Sequence, residues 1–116
     1  MSVSQKFVHD MALKQRWFVE AKAEIESTLE YLRCEFGERS VNNAYTDINA
    51  CIQVLQTFPD AGQKYKDLFY KGHEVRIFHM EKNSIIYCHD EETLFILAFW
   101  NNQRDDSIIA DILMPR

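Results

Sequence analysis

Glycine and proline are scarce in this sequence, which has three glycines and two prolines among 116 residues. That scarcity excludes collagen-like chains and flexible low-complexity segments, and no internal repeat is visible. The hydrophobic fraction of 47% can supply a core. By size scaling, a single domain of this length buries about two-thirds of its unfolded surface, so one compact core is expected.

Long apolar runs and paired cysteine motifs are also missing. No segment approaches the ~18 apolar residues of a membrane span. His9 and Asp10 interrupt the region where a signal peptide needs an apolar core. Cys34, Cys51 and Cys88 are an odd number without zinc-ligand spacing. The sequence therefore predicts a cytosolic protein with buried free thiols, and it predicts neither a metal site nor a cofactor.

An excess of positive charge is absent, since the net charge is −5. The basic residues between positions 64 and 82 alternate with acidic residues that cancel most of their field. Proteins that bind nucleic acid usually concentrate lysine and arginine on one face. A broad nucleic-acid interface is thus excluded, and any contact with nucleic acid has to be local.

Two amphipathic helices are predicted in the first half of the chain. Apolar side chains recur every three or four positions between residues 20 and 36, and Gly37 follows, as glycine often does after a helix. A second pattern begins at Ser40 and stops at Phe58-Pro59, because the residue before proline disfavours helix. The short link predicts an antiparallel hairpin that is stable only when packed on a sheet.

That sheet is predicted in the second half, as three antiparallel strands at residues 74–79, 85–89 and 94–100. These runs are rich in β-branched and aromatic residues, and the polar clusters between them suit tight turns. Residues 15–19 form either a fourth strand or the start of a helix, and a short helix is predicted after Asp106. The fold class is α+β, an N-terminal helical hairpin on a small antiparallel sheet with a short C-terminal helix.

Four groups of residues stand in an informative order. They are Glu30-Tyr31-Leu32 with Glu35-Phe36-Gly37; Leu55, Phe58-Pro59 and Gly62; Glu74-Val75-Arg76-Ile77-Phe78; and Ile85-Ile86-Tyr87 followed by Glu92-Thr93-Leu94 and the run from Ile96 to Asn102. Together they resemble the RelE/ParE superfamily of type II toxin–antitoxin toxins, also called plasmid-stabilisation proteins. The chain then divides into an N-terminal extension, residues 1–13, and a single RelE/ParE-like toxin domain, residues 14–116.

The resemblance implies a small toxin that a cognate antitoxin neutralises by wrapping its surface. ParE-like members bind DNA gyrase, whereas RelE-like members cut mRNA in the ribosome, and the fold alone does not choose between them. The favoured interpretation is a ParE-like toxin that blocks growth by binding a host target such as DNA gyrase. The alternatives are a ribosome-dependent mRNA endonuclease and an inactive relative that retains only antitoxin binding. Enzymatic activity, and a homodimer versus a toxin–antitoxin hetero-oligomer, stay open.

An mRNA endonuclease of this kind needs basic and acid–base side chains around the ribose 2′-hydroxyl and the phosphate. The resemblance places Arg76 at the basic position of the first sheet strand of this pattern and Arg104 near the exit of the last. Ser84 stands at the remaining basic position. A hydroxyl cannot neutralise a phosphate, and losing one such contact costs about 2.7–4 kcal/mol of barrier stabilisation. Ser84 therefore weighs against mRNA cleavage.

The candidate catalytic residues are Arg76, His89 and Arg104, and the candidate target-binding residues are Arg76, Asn101, Asn102 and Arg104. Each has a structural alternative. The arginines can pair with surface carboxylates, the histidine can be satisfied within its strand, and asparagines commonly bond their own backbone beyond a strand. The histidines do not converge in the predicted sheet, so no metal site is expected.

The side chains beside Arg76 depend on the first turn of the sheet. A two-residue turn at Lys82-Asn83 places His89 opposite Arg76, whereas a three-residue turn places Cys88 there. The two-residue turn is favoured because it gathers an apolar face for the helices. That face comprises Val75, Ile77, Ile86, Cys88, Phe95, Leu97 and Phe99. The opposite face then carries arginine, histidine and tyrosine beside Trp100.

Overall fold

The computed structural model describes residues 12–102. The elements in chain order are β1 (Lys14–Trp17), α1 (Val19–Phe36), α2 (Glu38–Thr57), β2 (Gln63–Tyr70), β3 (His73–His79), β4 (Asn83–His89) and β5 (Thr93–Asn101). The predicted α+β class, both helices and the three predicted strands of the second half are confirmed. The predicted C-terminal helix and Arg104 lie outside the described residues, as do residues 1–11 of the predicted extension.

The sheet has five strands in the order β1-β5-β4-β3-β2. The pairs β2–β3, β3–β4 and β4–β5 are antiparallel, whereas β1 lies parallel to β5. The strand interpretation is therefore confirmed for residues 15–17, whereas Val19 already begins α1. Strand β2 has no counterpart in the sequence-based prediction. Its register shifts between Lys64 and Phe69, and Lys66 has a positive φ of 54°, so the two-residue alternation that marks a strand is broken.

The two helices form the predicted antiparallel hairpin, with Gly37 as the single linking residue. Ala21 near the start of α1 shares a core cluster with Leu55 near the end of α2, which fixes the antiparallel direction. The Gly37 N–H donates to the carbonyl of Arg33 at 3.1 Å and closes α1. Arg33 binds Glu30 at 2.7 Å and, across the bend, Glu38 at 2.6 Å.

Replacing Gly37 with alanine is expected to destabilise the fold without creating a clash. Gly37 has φ 91° and ψ 179°, and a Cβ there would meet nothing within 4 Å. The cost is therefore conformational, of order 1–3 kcal/mol for a non-glycine residue in such a region. Thermal unfolding followed by circular dichroism should show a midpoint lower by several degrees, and an unchanged midpoint would contradict the assigned backbone conformation.

The helices cover one face of the sheet. The core cluster on that face is built from Leu13, Ala21, Ile48, Ile52, Leu55, Ile85, Tyr87, Leu94, Ile96 and Phe99. The predicted helix-facing set is wrong, because Val75, Ile77, Ile86, Cys88 and Leu97 lie in a second cluster with Tyr65 and Trp100 on the other face. Both faces of the central strands are apolar, so alternation could not identify the covered one. A bulge in the β4–β5 ladder moves Phe99 to the helix side.

The turn between β3 and β4 has two residues, but they are Glu81 and Lys82. The Met80 N–H donates to the Asn83 carbonyl at 2.8 Å, and Arg76 lies opposite Tyr87. Both predicted partners of Arg76 are therefore wrong. Since the true register differs from the favoured one by two residues, the side chains of β3 and β4 that were predicted to share a face still do so. Arg76, Tyr87 and His89 do share a face, whereas Trp100 lies on the opposite one.

The three cysteines are free thiols in different surroundings. Cys88 is fully buried, and desolvation raises the pKa of its thiol to about 11. Cys34 is exposed and its thiol donates to Glu30 at 3.4 Å, so the prediction of buried thiols is wrong for Cys34. Among residues 12–102, neither helix is long and apolar enough to cross a membrane.

Candidate functional site

The connector between α2 and β2, residues 58–62, is fixed against β4 by one buried tyrosine. The Tyr87 hydroxyl donates to the Pro59 carbonyl at 2.6 Å and accepts the Gly62 N–H at 2.9 Å. The Tyr87 side chain has no exposed surface, and this desolvation raises its pKa. The hydroxyl therefore satisfies two main-chain groups that water cannot readily reach.

Arg76 reaches the same connector from β3 and uses every guanidinium nitrogen. Nη1 donates to the Gly62 carbonyl at 2.7 Å, and Nη2 donates to the Glu74 carboxylate at 3.1 Å. Nε lies 3.5 Å from the Asp60 carboxylate. The side chain is 21% exposed. The charge of Arg76 is thus balanced by two carboxylates of its own chain.

His89, at the end of β4, holds the exposed carboxylate of the connector. Its Nε2 lies 3.0 Å from the Asp60 carboxylate, and its Nδ1 lies 3.1 Å from the Asp90 carbonyl. The hydrogen bond from His89, assisted by the charge of Arg76, lowers the pKa of Asp60. Arg76, Tyr87 and His89 therefore form, with Asp60 and Gly62, a cluster that fastens the connector to the sheet.

An open cleft of about 770 Å³ lies beside this cluster, lined by Leu13, Pro59, His73, His89, Asp90, Glu91 and Glu92. The Asp90 carboxylate accepts hydrogen bonds at 2.8 Å from the N–H groups of Glu92 and Thr93. These two bonds lower the pKa of Asp90 and keep it ionised. The cleft therefore has an acidic rim, which repels a nucleic-acid phosphate.

The Asn102 side chain belongs to a second network, at the far end of the β3–β4 ladder. Ser84, which is 1% exposed, donates to the Asn102 side-chain oxygen at 2.5 Å and lies 2.8 Å from His79 Nδ1. The Asn102 N–H also donates to the Lys82 carbonyl at 2.9 Å. Because the Ser84 proton is directed at Asn102, His79 is not placed to activate it as a nucleophile.

The structure separates the candidate residues that the sequence grouped. Asn101 pairs with Asn83, four positions along β4 from Tyr87, the partner of Arg76. At ~3.3 Å per residue this is roughly 13 Å along the strand. Asn102 contacts the Ser84 side of the sheet, whereas Arg76 and His89 lie on the helix side. No single pocket of residues 12–102 brings Arg76 together with Asn101 and Asn102.

The residues that decide the environment of Arg76 were not identified from the sequence. Asp60 and Gly62 lie in the connector, where no periodic pattern predicts a direction, and Glu74 is one of several acids near the predicted strand. Tyr87 and His89 were placed on the same face as Arg76, and the structure has them there. In residues 12–102, no three histidine, cysteine, aspartate or glutamate side chains come together as a metal site.

Acid is expected to weaken the fold partly through Asp60 and Asp90. Both carboxyls have a folded-state pKa below the usual value. Their stabilising contribution is therefore present above the unfolded pKa, about 4, and is lost as pH falls through the folded value. Urea unfolding between about pH 5 and pH 3 should show a shallower loss of stability in the Asp60→Asn/Asp90→Asn variant than in the original chain. An identical pH slope would contradict the two contacts, and Asp67→Asn, at a side chain 97% exposed, is the matched control.

Comparison with known proteins agrees with this architecture. The family model described as the ParE toxin of the type II toxin-antitoxin system parDE matches residues 16–106. A solved structure described as the chromosomal ParDE TA system from P. aeruginosa superposes with a TM-score of 0.59 and 15% sequence identity, covering 78% of this chain and 97% of that chain. At this identity the likeness shows a shared fold. No curated protein matches the sequence. Since the family model spans most of the chain, the protein belongs to the ParE toxin family of type II toxin–antitoxin systems.

Proposed function

We propose that this protein blocks growth by binding a host protein, DNA gyrase, in the cytoplasm, and that a cognate antitoxin neutralises it. Membership of the ParE toxin family supports a toxin as the starting point. The observation that favours binding over catalysis is that the Arg76 guanidinium is bonded to groups of its own chain. A toxin that works by binding needs no catalytic cluster, and among residues 12–102 none is built around Arg76.

Phosphate cleavage needs positive charge directed at an open site. Electrostatic stabilisation of the transition state is usually the largest single contribution to such catalysis. In this protein the Arg76 guanidinium is bonded to Gly62 and Glu74 and lies 3.5 Å from Asp60, and the neighbouring cleft has an acidic rim. The arginine would have to give up these contacts to reach a phosphate. The geometry therefore favours a structural role for Arg76.

Ser84, which stands at another position where the resemblance implies a basic residue, supports the same conclusion. Ser84 is 1% exposed and bonded to Asn102, so it offers a substrate neither charge nor access. One observation favours the alternative, a ribosome-dependent mRNA endonuclease, because Arg76, Tyr87 and His89 share one face. Tyr87, however, is fully buried and uses its hydroxyl on the connector.

Tightly controlled expression of the chain alone in a bacterial host tests the proposal. We expect growth to stop while incorporation of labelled methionine continues, and we expect the purified protein to inhibit DNA supercoiling by gyrase. Collapse of methionine incorporation within minutes would overturn the proposal in favour of mRNA cleavage. Normal growth with folded protein would favour an inactive relative. If a small open reading frame lies beside this gene, co-expression of its product should restore growth, and the product should form a stable complex with the chain.

A further inference from the structure

The far end of the helical hairpin, residues 26–47, carries apolar side chains that belong to neither core cluster; Val41 among them is buried, whereas several others are exposed. In α1, Ala21 and Ile25 contact the core cluster on the helix side of the sheet, whereas Leu29 and Leu32 do not. In α2, contact with that cluster begins at Ile48. Residues 26–47, named here the hairpin arm, therefore extend beyond the core that the helices share with the sheet.

The hairpin arm exposes three aromatic side chains to solvent. Tyr31 is 60% exposed, Phe36 64% and Tyr45 58%. The rings of Tyr31 and Phe36 meet edge to face with centroids 6.4 Å apart, so they form one apolar surface. Exposed aromatic pairs of this kind are typical of protein interfaces, where rigid rings contribute most of the binding energy.

The charge of the hairpin arm restricts what can cover this surface. The arm carries five acidic residues, Glu26, Glu30, Glu35, Glu38 and Asp47, against two arginines, Arg33 and Arg39. Glu30 and Glu38 bind Arg33 at 2.7 and 2.6 Å, and with these pairs included the arm, two arginines against five acids, keeps a net charge of −3. The result is an apolar surface inside a negative field, next to a bend that Arg33 bridges.

Three kinds of partner are disfavoured by that field. Nucleic acid and anionic lipid both carry negative charge and would be repelled. A second copy of the hairpin arm would bring like charges together at the interface, which costs binding energy. A basic protein segment with apolar anchors complements both the charge and the aromatic rings, and a helix is the usual form in which such a segment docks on helices.

We propose that the hairpin arm is a docking surface for a basic amphipathic helix of a partner protein, with Tyr31 and Phe36 as the anchoring contacts. The inference does not depend on the target of the toxin, because it is drawn from exposure and charge on the arm alone. It is also independent of Arg76 and the connector, which belong to another part of the molecule.

Fluorescence anisotropy with two labelled peptides tests this proposal. One probe is an amphipathic helix of lysine and leucine, and the other has the same pattern with glutamate in place of lysine; both are about 18 residues long so that they form helix. We expect the lysine peptide to bind at least about tenfold more tightly. Tyr31→Ala/Phe36→Ala should weaken its binding about tenfold or more, and Glu26→Lys/Glu35→Lys about fivefold or more.

The matched control is Phe58→Ala/Phe69→Ala, which removes two other exposed rings, 65% and 45% exposed, outside the hairpin arm. This control should change the affinity less than about twofold. Equal loss in the control and in the Tyr31/Phe36 variant would overturn the proposal, as would equal binding of the two peptides. Dimers by light scattering that disappear in the Tyr31/Phe36 variant would also overturn it, because a second copy would then be the partner. The charge-reversal variant keeps both rings, so the proposal stays testable even if the double alanine variant unfolds.

Discussion

Replacing Gly62 with alanine is expected to destabilise the protein by about 3 kcal/mol, combining overpacking with the loss of a buried hydrogen bond. A Cβ at this position would lie 2.6 Å from the Tyr87 hydroxyl and 2.7 Å from the Ile77 carbonyl oxygen. The carbonyl belongs to β3 and cannot move without disturbing the sheet. The connector would therefore have to retreat, and the contacts of Gly62 with Tyr87 and Arg76 would be lost.

Urea unfolding of two variants distinguishes the clash with the Tyr87 hydroxyl from the clash with the Ile77 carbonyl oxygen. Adding Tyr87→Phe to Gly62→Ala removes the hydroxyl but leaves the Ile77 carbonyl in place, so we expect the double variant to remain destabilised. Ala61→Ser is the control, since Ala61 is exposed and its substitution should cost less than about 0.5 kcal/mol. A Gly62→Ala variant as stable as the original chain would mean that the connector does not approach β3 this closely.

Replacing Arg76 with alanine is expected to lower stability by about 2 kcal/mol, less than the 3–5 kcal/mol of a fully buried ion pair because Arg76 and its partners are partly exposed. The substitution leaves the Gly62 carbonyl and the Glu74 carboxylate without their donor. Arg76→Lys keeps the charge but not the forked geometry, so we expect an intermediate loss. Lys64→Ala is the control, because Lys64 contacts Glu74 only at 3.5 Å and should contribute less than about 0.5 kcal/mol.

The Arg76→Ala variant also distinguishes a toxin that acts by binding a protein from one that cleaves mRNA. At a temperature where Arg76→Ala is folded, we expect it to arrest growth as the original chain does, with protein synthesis continuing. A nuclease that used Arg76 would instead lose a factor of about 10²–10³ in activity, the usual effect of removing one electrostatic contact to the transition state. Full stability combined with loss of growth arrest would therefore contradict the structural role assigned to Arg76.

The sequence predicts the helices well because their signals are local. Apolar spacing, Gly37 and the Phe58-Pro59 stop each act within a few residues, and α1 and α2 end close to the expected positions. The strands β3 to β5 were predicted for the same reason. Strand β2 was not predicted because its bulge and its two lysines, Lys64 and Lys66, hide the alternation. The local sequence pattern was sufficient to predict a helix or strand wherever its backbone is regular.

The surroundings of Arg76 could not be predicted because they depend on contacts across the chain. The β3–β4 turn lies one residue earlier than predicted, which shifts the register by two residues and changes the partner of Arg76 from His89 to Tyr87. The connector that neutralises it comes from another segment, and its direction is set by the Tyr87 hydroxyl. Residue type alone therefore suggested an arginine free to bind a target. The tertiary contacts show instead that Arg76 binds acceptors of its own chain.

The parallel pairing of β1 with β5 determines when this fold can be completed during synthesis. Lys14 pairs with Thr93 and Trp17 with Ile96, so strands from opposite ends of the described chain have to meet. The hairpin is local and can form early, but β1 has no sheet partner until β5 has left the ribosome. We infer that a nascent chain that ends before about residue 101 lacks the complete five-stranded sheet. Folding is thereby coupled to translation of the chain through β5, and products truncated before β5 should be unable to pair β1 with the sheet.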